Sequence, residues 1–442
     1  MRFRTVPNRG RKLSAYGLFS SHPDHFSAVL EAPQGQGRQF LVSTDGEWQY
    51  LDPLADMEAG ERFFFAWKRQ LQSQVDDSFA IRCLFYAAYE AGGLIERLPP
   101  PKTVPEGPLL AVFYPAASLC FDADQDEIYL AAGSDARLDE LQGLLDQAAA
   151  SAAAADLNCV ADDCCGSDET AYKQAVECVK AYISAGDVFQ ANIARFWEMP
   201  FADSKLQWLY ANLRRVNPAP FGCFARIPFS GGQLTIVSAS PERLFRIDQQ
   251  GQIDTRPIAG TRRRGEGDQD SSLRAELLLS EKERAEHIML VDLERNDLGR
   301  VCTPGSVRVD ECMVIEQYAT VQHIVSNVSG QLAEGMDVVD AFRAMFPGGT
   351  ITGCPKIRCM QIIHELEPRA RGPYTGGIGY VAWNGAADMN ILIRTFWHLN
   401  GKLHWAAGAG IVADSEPEHE LAETGYKAEG LLRAFAGSRG AG

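Results

Sequence analysis

The hydrophobic pattern between residues 170 and 435 switches between two periods. Apolar positions recur at helical spacing over Thr170–Ala185 and Ser204–Arg215 and predict helices. Leu234–Ser240 and Ile253–Ile258 are strand-length apolar runs. Leu273–Leu298 reads as one long helix or two abutting ones, with Ile288, Leu290, Val291 and Leu293 apolar amid charge. Ile378–Trp383, Asn390–Leu399 and Lys402–Val412 predict three further strands. Asn384-Gly385 lies in the first connection, and Asn400-Gly401 makes a tight hairpin in the second. Glu416–Phe435 closes the chain as a helix. Strand meanders mixed with helices predict an α+β fold, not a doubly wound parallel sheet.

The composition shifts at the alanine run from Gln147 to Asp156, read as the end of a helix followed by a linker. The division expected is a first region over 1–150, a linker over 151–168 and a second region over 169–436. Hydrophobic residues make up 46% of the 442, enough for a large core. The 42 basic and 58 acidic residues leave a net charge of −16, which argues against nucleic acid or an anionic membrane as partner. Met1-Arg-Phe-Arg-Thr-Val-Pro carries no signal-peptide core, and no run nears the roughly 18 apolar residues of a membrane span, so a cytoplasmic location is expected. The 11 cysteines show no paired C-x-x-C spacing and read as reduced, structural thiols.

The densest chemistry lies in Phe346-Pro-Gly-Gly-Thr-Ile-Thr-Gly-Cys-Pro-Lys-Ile-Arg358. A glycine-rich loop enters a helix there, and Thr350, Thr352, Gly353 and Lys356 could face an anion; a plain helix-entry turn explains the loop equally well. Gly348 and Gly353 have Walker spacing, but Cys354-Pro355 stands where Lys-Ser/Thr must follow, which excludes a nucleotide loop. Glu283 and Glu286 are three residues apart, as are Glu420 and Glu423. On helices each pair shares a face, where it is either a solvated surface or part of a site for a hard cation. Arg394 sits among apolar residues in a predicted strand and calls for a buried partner. Tyr380, the Gly408-Ala409-Gly410 run and Lys427 accompany it, and His323 is either a core histidine or a catalyst.

In order along the chain, Ser240-Pro-Glu-Arg243, Arg256-Pro-Ile-Ala-Gly-Thr261, Val291-Asp-Leu-Glu-Arg-Asn-Asp-Leu-Gly299, the Pro347–Lys356 loop, Ile393-Arg-Thr395 and Gly408-Ala-Gly-Ile-Val-Ala-Asp414 resemble the chorismate-utilising enzymes. That family includes the anthranilate, aminodeoxychorismate, isochorismate and salicylate synthases. The resemblance implies a large α/β sandwich of mostly antiparallel sheets with the active site between them. The N-terminal region over 1–150 would complete it and could carry a tryptophan pocket, and Phe221-Gly222 stands where the anthranilate branch has Tyr-Met at that pocket. It also implies Mg²⁺ held by Glu286 and Glu423, with Glu283 and Glu420 nearby, against the chorismate ring carboxylate. Arg394, Tyr380 and the backbone of Gly408, Ala409 and Gly410 would take the enolpyruvyl carboxylate. Lys427 and the Thr350–Gly353 loop, with Lys356, would complete the anion site. Glu242 would be the general acid and His323 a positioning or proton-transfer group.

Water-using members of the family carry a lysine base where Gln190 stands here, so the resemblance points to ammonia as nucleophile. Two ammonia-using branches remain. Pro347-Gly-Gly-Thr-Ile-Thr-Gly353, Ala219-Pro-Phe221 and Gly410-Ile-Val-Ala-Asp-Ser415 resemble the aminodeoxychorismate branch. Ala259 stands where that branch has a nucleophilic lysine and matches the anthranilate pattern instead. The expectation is the first branch, with anthranilate formation as the alternative and a silent chorismate- or tryptophan-binding relative as a third. A glutamine amidotransferase subunit would supply ammonia, and an aminodeoxychorismate lyase would act downstream.

Overall fold

The computed structural model describes residues 1–9, 13–32, 37–72, 76–148, 165–263, 281–317 and 321–435. The early strands are β1 (Arg2–Pro7), β2 (Phe26–Glu31), β3 (Arg38–Ser43), β4 (Gly46–Leu51), β5 (Ile81–Ala87), β6 (Leu110–Pro115), β7 (Ala117–Asp122), β8 (Glu127–Ala132) and β9 (Cys165–Gly166). They continue as β10 (Gln190–Pro200), β11 (Phe221–Phe229), β12 (Gly232–Ser240), β13 (Arg243–Ile247), β14 (Gln252–Thr255), β15 (Ile258–Arg263), β16 (Arg308–Gln317) and β17 (Val321–Gln331). The last are β18 (Gly353–Cys354), β19 (Gly377–Ala382), β20 (Ala387–Ile391), β21 (Thr395–Leu399) and β22 (Lys402–Ile411). The helices are α1 (Ala15–Ser21), α2 (Met57–Leu71), α3 (Asp135–Gln147), α4 (Glu169–Ala185), α5 (Leu206–Val216), α6 (Glu281–Gly299), α7 (Val338–Met345), α8 (Lys356–Leu366) and α9 (Pro417–Leu432).

The strands form two antiparallel sheets. A 12-stranded sheet runs β1-β8-β7-β3-β2-β11-β12-β21-β22-β10-β18, with β9 beside β10. A 10-stranded sheet runs β15-β17-β14-β13-β20-β19-β5-β6-β4, with β16 beside β17. Each sheet therefore joins a block of strands from 1–150 to a block from 169–436, the blocks meeting at β2–β11 in the first sheet and at β5–β19 in the second.

Three apolar clusters define the layers. One joins the sheets face to face through Phe40, Ile236 and Trp397 of the first and Ile81, Phe113 and Ile378 of the second. A second packs α1, α3 and α5 on the outer face of the first sheet through Phe19, Leu141 and Leu209. The third packs α2, α7 and α8 around the second sheet through Trp67, Phe342 and Ile363. The result is the α+β fold that the hydrophobic pattern predicted, arranged as the antiparallel sandwich that the family resemblance implied.

Helix starts follow local chemistry. Asp56 accepts the Ala59 N–H at the start of α2, and Asp337 and Asp340 form a capping box on α7. Two predicted strands are each broken in two. Arg256-Pro257 separates β14 from β15, since proline supplies no ladder N–H. Asn390–Leu399 divides between β20 and β21, and that break builds the site. The predicted helix over Leu273–Leu298 is observed as α6 from Glu281, and its earlier part lies outside the described residues. The same holds for most of the alanine run, since α3 ends at Gln147.

Candidate active site

The chain crosses from one sheet to the other at two adjacent places. After β12 ends at Ser240, Pro241-Glu242 carries it to β13 in the second sheet. After β20 ends at Ile391, Leu392–Arg394 carries it back to β21 in the first. The crossings are stitched together. The Ile391 N–H donates to Glu242 O at 3.0 Å and the Ala239 N–H to Arg394 O at 3.2 Å. The Ser240 hydroxyl donates to Ile391 O at 2.5 Å, and the Ser238 and Thr395 hydroxyls lie 2.8 Å apart. Two sheet-changing corners thus bring Glu242 and Arg394 together between the layers.

Arg394 is not the mid-strand residue that the pattern predicted. It occupies the corner at φ +50°, a left-handed conformation that costs a non-glycine residue strain. Glu242 is 7% exposed. Burial pushes its carboxyl up to about 7, against the opposing pull of the Thr350 hydroxyl, Arg394 and Lys427. Burial also lowers the affinity of Arg394 for its proton, which Glu242 partly restores. His323, on β17, is buried and held down to about 4 by desolvation and by Arg394, so its imidazole is neutral at neutral pH.

The rest of the site hangs on paired strands β10 and β22. Asn192, Ile193 and Ala194 oppose Gly410, Ala409 and Gly408. Lys427 of α9 donates to Gly408 O at 2.8 Å and pairs with Glu423 at 2.7 Å. A Cβ on Gly408 would come within 2.6 Å of Asn192 Oδ1 and 2.8 Å of the Tyr374 hydroxyl, so only glycine fits. The Gly408 N–H also points at that hydroxyl. Gln190 donates its side-chain N–H to Glu286 Oε1 at 2.6 Å.

Four expectations need correction. Tyr380 does not join Arg394. It packs on Phe40 at 4.3 Å and lines a separate pocket of about 520 Å³ with Glu31, Phe221, Gly222, Arg243 and Asp388. Tyr374 is the tyrosine at the Gly408 backbone, and its place just after the Arg369-Ala-Arg-Gly-Pro turn was the available signal. Thr352 is wholly buried and donates to Gly348 O at 2.8 Å, so it holds the loop closed instead of facing a ligand. Lys356 is also spent internally, on Asp297 at 2.5 Å and Met345 O at 2.9 Å. Gly353, at φ +128°, lets the loop pair with β10, where a Cβ would lie 2.1 Å from Gln190 O. Its role is that approach, not direct ligand contact. Of the loop residues predicted to bind, Thr350 is the one beside Glu242. The backbone of Ala259 pairs with Ile324 on β15, and its side chain lies outside what is described.

Glu283 and Glu286 lie on α6, and Glu420 and Glu423 on α9. Among the described residues no group of three or more His, Cys, Asp and Glu side chains is gathered closely enough to hold a metal ion. The donor chemistry nevertheless suits a hard cation. Glu286 already accepts an amide N–H, and Glu423 already pairs with an ammonium, both towards the Ala191–Ile411 end of the β10–β22 pair.

Sequence comparison matches residues 28–433 to the chorismate binding enzyme family, and the chain belongs to that family. Aminodeoxychorismate synthase component 1 of Bacillus subtilis is 49% identical over 269 residues, covering 60% of this chain and 56% of that protein. Anthranilate synthase component 1 of Thermus thermophilus is 49% identical over 265 residues, with shares of 60% and 56%. The match thus spans a little over half the length of these curated relatives. The crystal structure of anthranilate synthase component I from Streptococcus pneumoniae superposes with a TM-score of 0.75 at 28% identity, covering 92% of each chain. The menaquinone-specific isochorismate synthase of Escherichia coli gives 0.75 at 18% identity over 98% of this chain and 94% of that one, a likeness of fold. Among the described residues no helix is long and apolar enough to cross a membrane.

Proposed function

We propose that this chain replaces the C4 hydroxyl of chorismate by ammonia, giving 4-amino-4-deoxychorismate and water. The observation that carries the reading is Glu242, a buried carboxyl that keeps its proton to near neutrality beside a desolvated arginine. A carboxylic acid of that kind can protonate a leaving hydroxyl, which departs as water. Arg394, the Tyr374 hydroxyl and the Gly408 backbone would bind and orient one substrate carboxylate. Thr350 would hold the acid in line. Gln190 cannot take a proton from water, which favours a nucleophile that already carries its lone pair.

Glu286 and Glu423, with Glu283 and Glu420, would hold Mg²⁺. When bound, that ion supplies positive charge for the second carboxylate of the dianion. Relatives named component 1 support an amidotransferase partner that releases ammonia from glutamine. A lyase would then remove pyruvate from the product to leave p-aminobenzoate, a folate precursor.

Ala259 favours a second reading, anthranilate formation with loss of pyruvate in the same site. Both are tested by incubating the chain with chorismate, Mg²⁺ and ammonium, with and without an aminodeoxychorismate lyase. The proposal expects p-aminobenzoate only when the lyase is added. Fluorescent anthranilate without the lyase would replace it with the second reading.

A further inference from the structure

The groups assigned to the substrate carboxylate sit on strained backbone. Arg394 is left-handed at its corner, and Thr375, next to Tyr374, is left-handed too, at φ +59°. A non-glycine residue keeps that conformation only where its surroundings fix it. The far side of the Arg371–Gly376 turn is fixed to the Arg394 corner. The Thr375 N–H donates to Leu392 O at 2.9 Å, and the Leu392 N–H to Gly376 O at 2.8 Å. The near side is fixed from the N-terminal region, by a residue that no motif marked. Glu90, in the 3₁₀ turn Tyr89–Leu94 after β5, is 7% exposed. Its Oε1 accepts the Arg371 N–H at 2.6 Å, and its Oε2 accepts the Gly372 N–H at 3.0 Å. Gly372, at φ +58°, bends the backbone so that two successive N–H groups converge on one carboxylate, an anion nest filled by a side chain. The Tyr89 N–H donates back to Gly372 O at 2.8 Å. A Cβ on Gly376 would lie 2.2 Å from Ala87 O, so the turn rests directly on Ala87–Glu90.

We propose that Glu90 is a positioning residue for Tyr374: its two carboxylate oxygens orient the Arg371–Gly372 backbone, and through that turn they aim the Tyr374 hydroxyl at Gly408. This inference rests on the reading of Tyr374 as a group that binds a substrate carboxylate. It makes the 1–150 region part of the substrate site, although none of the groups assigned to contact the substrate comes from it. The grip needs two acceptors. A glutamine at 90 offers one oxygen and one NH₂, and the NH₂ would meet a backbone N–H, donor against donor. The turn would then shift to separate them. The Arg371 side chain holds the opposite flank, through Ile351 O and Asn192 O, and is untouched by that change. Burial pushes the Glu90 carboxyl up to about 7, and the Arg371 and Gly372 N–H groups oppose it. Assays at about pH 8.5 therefore compare the carboxylate with the amide.

The test is the steady-state kinetics of Glu90→Gln with chorismate, ammonium and Mg²⁺. A displaced Tyr374 should raise the KM for chorismate by about tenfold, with kcat within about threefold and the KM for ammonium within about twofold. A variant that merely folds less well loses active protein, which lowers kcat and leaves KM alone. That outcome would overturn the proposal. Tyr374→Phe and the double variant separate the two further. Once the hydroxyl is gone, Glu90 has little left to position, so the double variant should lose about twentyfold or less in kcat/KM. Losses that multiply to about a hundredfold would overturn the link to Tyr374. Should Glu90→Gln not fold, Glu90→Asp keeps the charge, shortens the reach and carries the same tests.

Amide hydrogen exchange read by mass spectrometry does not depend on turnover. Residues 371–376 should exchange at least about tenfold faster in Glu90→Gln, with α8 unchanged. Unchanged exchange over 371–376 would overturn the anchoring. A wild type inert to chorismate would sink the proposed reaction and leave exchange to decide on Glu90.

Discussion

Arg371 Nη2 lies 2.6 Å from Glu367 Oε1, and the two side chains are 1% and 2% exposed. The guanidinium also donates to the Thr375 hydroxyl at 3.2 Å and to the backbone of the site. It donates to Ile351 O at 3.0 Å in the glycine-rich loop and to Asn192 O at 2.9 Å in β10. Glu367 accepts the Ala194 N–H at 2.9 Å. One buried ion pair therefore fixes the loop, the β10 edge and the end of α8 relative to one another. Arg371→Met should leave the Glu367 charge buried and unpaired, at a cost of about 3–5 kcal/mol. Urea unfolding checks this. A loss below about 1 kcal/mol would show that the pair is not the clamp described.

Glu242→Gln removes the transferable proton but keeps the shape. Turnover should fall by about 10²- to 10⁴-fold with chorismate affinity largely retained. Stability should move the other way. The folded-state carboxyl titrates at about 7, above the ordinary 4.5, so the stability it contributes is full below pH 4.5 and is lost as pH rises through 7. By pH 8 the buried charge costs roughly 3 kcal/mol, an order-of-magnitude figure, which the glutamine variant should recover. Denaturant midpoints at pH 5 and pH 8 check the sign. Equal differences at the two values would contradict the buried-acid account.

The two tyrosines separate the two pockets. Tyr374→Phe removes the hydroxyl at Gly408 and should raise the KM for chorismate or lower kcat by about tenfold. Tyr380→Phe alters a group lining the other pocket, between Phe40 and Asp388, and should leave both constants within about twofold. Steady-state kinetics of both variants decide the assignment, and the reverse ranking would restore the tyrosine chosen from sequence.

Sequence and structure agree where chemistry is local. The helices predicted over Thr170–Ala185 and Ser204–Arg215, the Asn400-Gly401 hairpin and the Glu242 motif could all be read directly from the residues. Arg394 was found but misplaced, because Ile391–Ile393 and Phe396–Trp397 flank it as one strand-like apolar run and periodicity cannot show a strand changing sheets. Lys356 and Thr352 looked like ligand groups because lysine and threonine after glycines suit an anion. Their partners, Asp297 and Gly348 O, are visible only once α6 and the loop are packed. Tyr374 was passed over for Tyr380 because both follow a glycine or proline turn, and only the pairing of β10 with β22 separates them.

If Glu286 and Glu423 hold Mg²⁺, the Gln190 and Lys427 contacts they make here must rearrange on loading. Removing the metal with EDTA should abolish turnover and restoring Mg²⁺ should recover it. Glu286→Gln should weaken Mg²⁺ binding measured calorimetrically by at least about tenfold. Unchanged Mg²⁺ affinity would remove Glu286 from the metal site.

The most direct test of the central claim follows nitrogen into the product. Chorismate, Mg²⁺ and ¹⁵N-ammonium are incubated with the chain, and carbon–nitrogen coupling is read by NMR. The account predicts ¹⁵N bonded to ring C4, with the enolpyruvyl group retained. ¹⁵N at ring C2 with release of pyruvate, or unchanged chorismate, would contradict it.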